Sequence, residues 1–141
     1  MEQYIYIIAP TAGWAVAQGL KVLFDLRRDG FQLLDALASG GMPSSHSAAS
    51  AALATVIGVT QGIDSVYFGL ALTLAAVIMY DSLGVRRTTG ENTLSIRALE
   101  TKAGIKSKQR VHFGTKGHTP LEVVAGGFAG LLVGVILTIL L

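Results

Sequence analysis

Long apolar stretches separated by short polar clusters set the pattern of this chain. The apolar runs cover roughly residues 3–24, 44–62, 66–83 and 120–141, each close to the ~20 residues a helix needs to cross ~30 Å of hydrocarbon. The pattern predicts an all-α, polytopic membrane bundle of about four transmembrane helices. It is read as a single membrane domain over residues 1–141, with connections at 25–43 and 84–119. The first run holds Pro10, Gly13 and Gly19, residues tolerated where neighbouring helices cover the backbone, and a kink is expected there. The second is built of small residues, Ser47-Ala48-Ala49-Ser50-Ala51-Ala52, which let helices approach closely and place it at the centre of the bundle.

Composition agrees with the membrane assignment: 51% of residues are hydrophobic, 14% are charged, and the mean hydropathy is +0.56. The absence of cysteine removes thiolate catalysis, disulfides and zinc–thiolate sites. Ala15-Val16-Ala17 imitates a signal-cleavage site, but only Glu2 precedes the first run where a leader would carry positive charge, so an uncleaved helix is expected. All eleven Lys and Arg residues fall between Lys21 and Arg28 or between Arg86 and Lys116. By the positive-inside tendency those connections face the cytoplasm and both termini face out. Setting aside Lys21, Arg28, Arg86 and Arg87 as anion-binding candidates leaves Arg27, Arg97, Lys102, Lys106, Lys108, Arg110 and Lys116 pointing the same way. In the first connection, Phe31, Leu33, Leu34 and Leu37 suit a small interfacial helix. The second is expected to form a helix over residues 91–103, followed by a basic run attracted to anionic headgroups, with His112 a loop residue.

The polar clusters carry the candidate chemistry. They are Lys21 with Arg27 and Arg28; Gly41-Met42-Pro43-Ser44-Ser45-His46-Ser47-Ala48; Asp81 with Arg86 and Arg87; and Gly117-His118-Thr119-Pro120-Leu121-Glu122. Taken singly, each has an ordinary structural reading. Lys21 marks the headgroup level, Ser44 or Ser45 caps the second helix, and Arg86 and Arg87 anchor the third. The topology, however, puts all of them at one side of the membrane, where hydroxyls, imidazoles, cations and a helix N-terminus together make an anion site. His118 and Glu122 stand four apart, on one face of the fourth helix, so the carboxylate can accept a hydrogen bond from one imidazole nitrogen. That fixes the tautomer and leaves the other nitrogen as nucleophile or base. Pro120 suits the helix's first turn. A metal site is the competitor, since imidazoles and carboxylates ligate zinc or iron, but His46, His118 and one or two acids make a thin first shell, and no metal is expected.

These residues resemble the signature of the type 2 phosphatidic acid phosphatase superfamily, which includes the vanadium haloperoxidases and has the motifs Lys-x6-Arg-Pro, Pro-Ser-Gly-His and Ser-Arg-x5-His-x3-Asp. Lys21 and Arg28 have the first spacing, without the Pro; Pro43-Ser44-Ser45-His46 has Ser for Gly; His118-x3-Glu122 has Glu for Asp. No Arg stands six residues before His118; instead Tyr80-Asp81-Ser82-Leu83-Gly84-Val85-Arg86-Arg87 closes the preceding helix, as though residues 88–117 split the motif. The whole is similar to the small bacterial divergent branch of the superfamily, whose haloperoxidase members are soluble and fit poorly.

The resemblance implies a phosphatidic acid phosphatase type 2-like core and a membrane lipid phosphatase working without cofactor. His118 would be the nucleophile, Glu122 its orienting acid and His46 the general acid. Lys21, Arg28, Ser44, Ser45 and one of Arg86 or Arg87 would bind phosphate. The expected partner is a phosphorylated lipid in the bacterial plasma membrane, with no role for nucleic acid. Phosphatidic acid, phosphatidylglycerol phosphate and polyprenyl phosphates or diphosphates all suit a site at headgroup depth. The chain leaves room for a homodimer that no motif signals. The competing readings are a non-catalytic binder or transporter gripping the same headgroups, and an inert structural subunit.

Overall fold

The computed structural model describes residues 4–26, 41–105 and 117–141. Among them are five helices and no strand: α1 (Ile5–Asp25), α2 (Ser45–Gln61), α3 (Val66–Leu83), α4 (Val85–Lys102) and α5 (Pro120–Leu140). Arg28, the expected interfacial helix around Leu33, and the basic stretch from Lys106 to Lys116 lie outside the described residues. Side-chain oxygens define the helix starts. Ser44 caps α2, Ser65 caps α3 by accepting the Phe68 N–H at 3.1 Å, and Thr119 caps α5 with Pro120 in its first turn.

α2 is the central element and packs against α1, α3 and α5, with the most extensive contact to α5. Small residues make this closeness achievable. A Cβ added at Gly126 or Gly130 of α5 would run into the carbonyl oxygens of Ser44 and Ala48, and one at Gly134 would stand 2.9 Å from that of Ala52. From the other side, a Cβ at Gly13 of α1 would lie 2.7 Å from the Ala48 oxygen. Glycines spaced by four on α5 thus meet backbone spaced by four on α2, the close-approach geometry of membrane helices.

Among the described residues, three stretches are long and apolar enough to cross a membrane: Ile5–Phe24, Val66–Lys102, which joins α3 and α4, and Pro120–Leu140. The fourth expected crossing, α2, has 17 residues, about 25 Å of helix. Its buried positions, Ser45, Ser47, Ala48, Ser50, Ala52, Ala54 and Val56, are covered by protein, so it does not need the apolarity of a lipid-facing span. A second difference lies after α3. Where a polar connection with a helix over 91–103 was expected, α4 starts at Val85, one residue past the end of α3. Helical pairing resumes at once, the Thr88 N–H bonding to the Gly84 oxygen at 3.0 Å.

The bundle's two ends differ in character. One holds the apolar cluster Ile5, Ala9, Ala52 and Val56. Beyond it Gln61 Nε2 donates to Tyr6 Oη at 2.6 Å, beside a cavity of about 330 Å³ lined by Tyr6, Ile57, Gln61 and Tyr67. Toward the other end lie the buried polar residues Lys21, Ser44, Ser45, Ser47, Ser82 and His118.

Candidate active site

The polar end is assembled where α1 and α3 finish and α2 and α5 begin, and backbone hydrogen bonds fasten the pieces together. The Ser44 N–H donates to the Glu122 oxygen at 3.0 Å, tying the loop before α2 to the first turn of α5. The His118 N–H donates to the Ser82 oxygen at 3.2 Å, tying the same turn to the end of α3. Both α2 and α5 therefore present their N-terminal turns here, and their dipoles favour negative charge between them.

His118 is 2% exposed. Its Nδ1 lies 3.1 Å from Glu122 Oε2, which also accepts the Thr119 N–H at 3.0 Å, while the Glu122 N–H bonds to Thr119 Oγ1 at 3.4 Å. A carboxylate can only accept, so Nδ1 carries the hydrogen, and in the neutral imidazole Nε2 keeps its lone pair. The sequence expectation of an aligned His–acid pair corresponds to this geometry. The extra methylene of Glu over Asp lets one oxygen serve the helix cap and the imidazole together.

Ser44 is completely buried and plays the capping role. Its Oγ accepts from Ser47 Oγ at 2.9 Å and from the Ser47 N–H at 3.4 Å, and its own hydroxyl hydrogen is still a donor. The N–H groups of Ser45 and His46 precede the first intrahelical bond of α2, where a docked anion finds donors. Lys21, 2% exposed, is enclosed in the bundle beside this loop. A Cβ at Gly41 would lie 3.5 Å from Lys21 Cε, an ordinary contact, but Gly41 has φ of +88°, so a side chain there would be strained.

The arginine pair behaves differently. Gly117 packs so tightly on the backbone N and Cα of Arg87 that no Cβ fits, and the chain after the excursion therefore returns to the end of α3 just before His118. The Arg87 guanidinium, however, pairs with Glu91 Oε1 at 3.2 Å on the exposed surface of α4, both side chains being more than half exposed. The Arg86 side chain and Arg28 lie outside the described residues. No group of three or more His, Asp or Glu side chains suited to a metal is present among the described residues.

Two polar residues were not singled out from sequence. Gln18 Oε1 is a buried atom without a hydrogen-bond partner, one turn before Lys21, and Ser82 Oγ is another, on the residue whose carbonyl accepts the His118 N–H. A Gln inside an apolar span is costly and is the available signal for the first. A lone Ser near a helix end is too ordinary to have flagged the second.

The family described as Divergent PAP2 matches residues 3–133 of this chain. The chain is also 38% identical over 112 residues, 70% of its own length and 71% of the relative's, to the uncharacterized membrane protein YuiD of Bacillus subtilis strain 168. No solved structure matches it significantly.

Proposed function

The chain belongs to the divergent PAP2 family, and from that premise we propose that it is a metal-independent phosphatase of membrane lipids, hydrolysing a phosphomonoester or diphosphate of a phospholipid or polyprenyl phosphate. The observation that carries this reading is the pairing of buried His118 with part-buried Glu122 at 3.1 Å, set where two helix N-termini meet. With Nδ1–H held by the carboxylate, Nε2 attacks phosphorus in line. The Nε2–P bond forms as the P–O bond to the leaving group breaks, the lipid alcohol for a monoester or the lipid monophosphate for a diphosphate, and His46 gives its proton to the departing oxygen. Water then attacks the phosphohistidine and passes a proton to His46, and inorganic phosphate leaves with Nε2 restored. Lys21, the Ser44 hydroxyl and the N–H groups at Ser45 and His46 offset the charge spread over the phosphoryl oxygens, joined by Arg28 and by Arg86 or Arg87. The positive-inside tendency of the two cationic connections supports reading this end of the bundle as the cytoplasmic one.

Purified protein in detergent with a metal chelator is expected to release phosphate from at least one phosphorylated lipid, and His118→Ala and His46→Ala each to abolish release while remaining folded. Release unaffected by His118→Ala would exclude the phosphohistidine. A folded protein that binds such lipids but hydrolyses none would be a binder or transporter, the reading that the outward pairing of Arg87 with Glu91 favours.

A further inference from the structure

Hydroxyls on the helices of this bundle characteristically donate to the carbonyl one turn back: Ser50 to His46, Thr55 to Ala51, Thr60 to Val56 and Thr73 to Gly69, at 2.7–2.9 Å. That local bond is how a Ser or Thr is carried inside an apolar helix without loss. Ser82 does not form it. The residue is 1% exposed and its Oγ has no hydrogen-bond partner. A buried hydroxyl left in this state opposes folding, because the hydrogen bonds it made to water are not replaced.

Its position gives the missing partner a chemical class. The Ser82 carbonyl accepts the His118 N–H, so the hydroxyl belongs to the residue in direct backbone contact with the proposed nucleophile. The same turn of α5 holds the Ser44 loop through the Glu122 oxygen. The Arg87 side chain, one of the two that the resemblance offers for phosphate at this end of α3, is engaged with Glu91. We propose that Ser82 is a further substrate-binding residue whose Oγ–H donates to a non-bridging oxygen of the phosphoryl group held at His118. This inference rests on the phosphatase reading for its catalytic consequence, and for the contact on the unpartnered hydroxyl and the backbone bond between Ser82 and His118. An anionic phosphoryl oxygen is the acceptor that satisfies the hydroxyl, and in its absence Ser82 stores an unmet hydrogen bond.

The test compares wild type, Ser82→Ala and Ser82→Thr in two measurements: the unfolding midpoint with and without inorganic phosphate, and steady-state release from a lipid phosphate that the wild type hydrolyses. Ser82→Ala is expected to leave the ligand-free midpoint unchanged or higher, to shrink its rise with phosphate, and to lower kcat/KM about tenfold to a hundredfold, as for one lost hydrogen bond to a charged group. Ser82→Thr, which keeps the hydroxyl, is expected to recover most of both. An active wild type with unchanged kcat/KM and an unchanged phosphate response in Ser82→Ala would overturn the role of Ser82 and leave the phosphatase reading standing. Should the wild type hydrolyse no lipid, that reading falls, and a phosphate response reduced only in Ser82→Ala would still support the contact. A lowered ligand-free midpoint with an intact phosphate response would make Ser82 merely structural.

Discussion

Glu122 Oε2 receives two hydrogen bonds with different duties, one from the Thr119 N–H at 3.0 Å and one from His118 Nδ1 at 3.1 Å. The first belongs to the stability of α5 and the second to the chemistry of the imidazole, and substitutions separate them. Glu122→Gln retains an oxygen for the Thr119 N–H but loses the negative charge facing the imidazole. Turnover is expected to fall at least about tenfold with little change in the unfolding midpoint. Glu122→Ala loses both and should additionally cost about 1 kcal/mol through the cap. Equal losses of stability in the two variants, with turnover retained in Glu122→Gln, would confine the carboxylate to capping. At this scale the sequence is most informative where spacing dictates geometry: a four-residue separation leaves His118 and Glu122 little choice but to meet. It is least informative for Ser82, whose importance depends on a bond it fails to make, and for Arg87, whose side chain has an acidic neighbour one turn away on α4.

Among the helices, the contact of α2 with α5 is set by what is absent from the glycines. Gly130→Ala should raise the intrinsic helix propensity of α5 by about 1 kcal/mol, yet the added methyl meets the Ala48 carbonyl, and overpacking of this kind costs about 1–3 kcal/mol. A lower unfolding midpoint in detergent is therefore expected. Gly69→Ala on α3 is the control, since nothing lies within 4 Å of its added Cβ, and its midpoint should hold or rise. If both variants behaved alike, the close approach of α2 and α5 would not be a source of stability. The small-residue character of α2 is readable from Ser47 to Ala52 and points to a central helix. Its partner is readable too, in the spacing of Gly126, Gly130 and Gly134, once glycine is taken as a packing residue rather than a helix breaker. The start of α4 is harder to read, because Arg86, Arg87 and Thr88 look like a polar connection while the backbone continues helically through them.

For the whole molecule, burial of Lys21, Ser44, Ser47, Ser82 and His118 toward one end means that sidedness decides what the protein can reach. The chain has no cysteine, so single introduced thiols report orientation cleanly. A membrane-impermeant maleimide is expected to label Ile63→Cys, in the turn between α2 and α3, in intact cells, and Ser95→Cys on α4 only after permeabilisation. The reverse pattern would put the site on the outer face. Charge asymmetry between connections supplies the expected sense from sequence alone, since the bias in Lys and Arg is a property of loops and needs no tertiary contact.

The hydrogen bond from His118 to Ser82 and the seating of Gly117 on Arg87 make the intervening chain an excursion that leaves and rejoins the bundle at nearly the same point. Closing such a loop costs entropy that grows only with the logarithm of its length, about 0.6 kcal/mol for each doubling. Contacts made at the neck are unaffected by how much chain is paid out beyond it. A sequence motif interrupted at that point can therefore lengthen or shorten over evolutionary time while its two halves keep the same mutual position, and linear spacing is a poor measure of how far such a protein has drifted from its relatives.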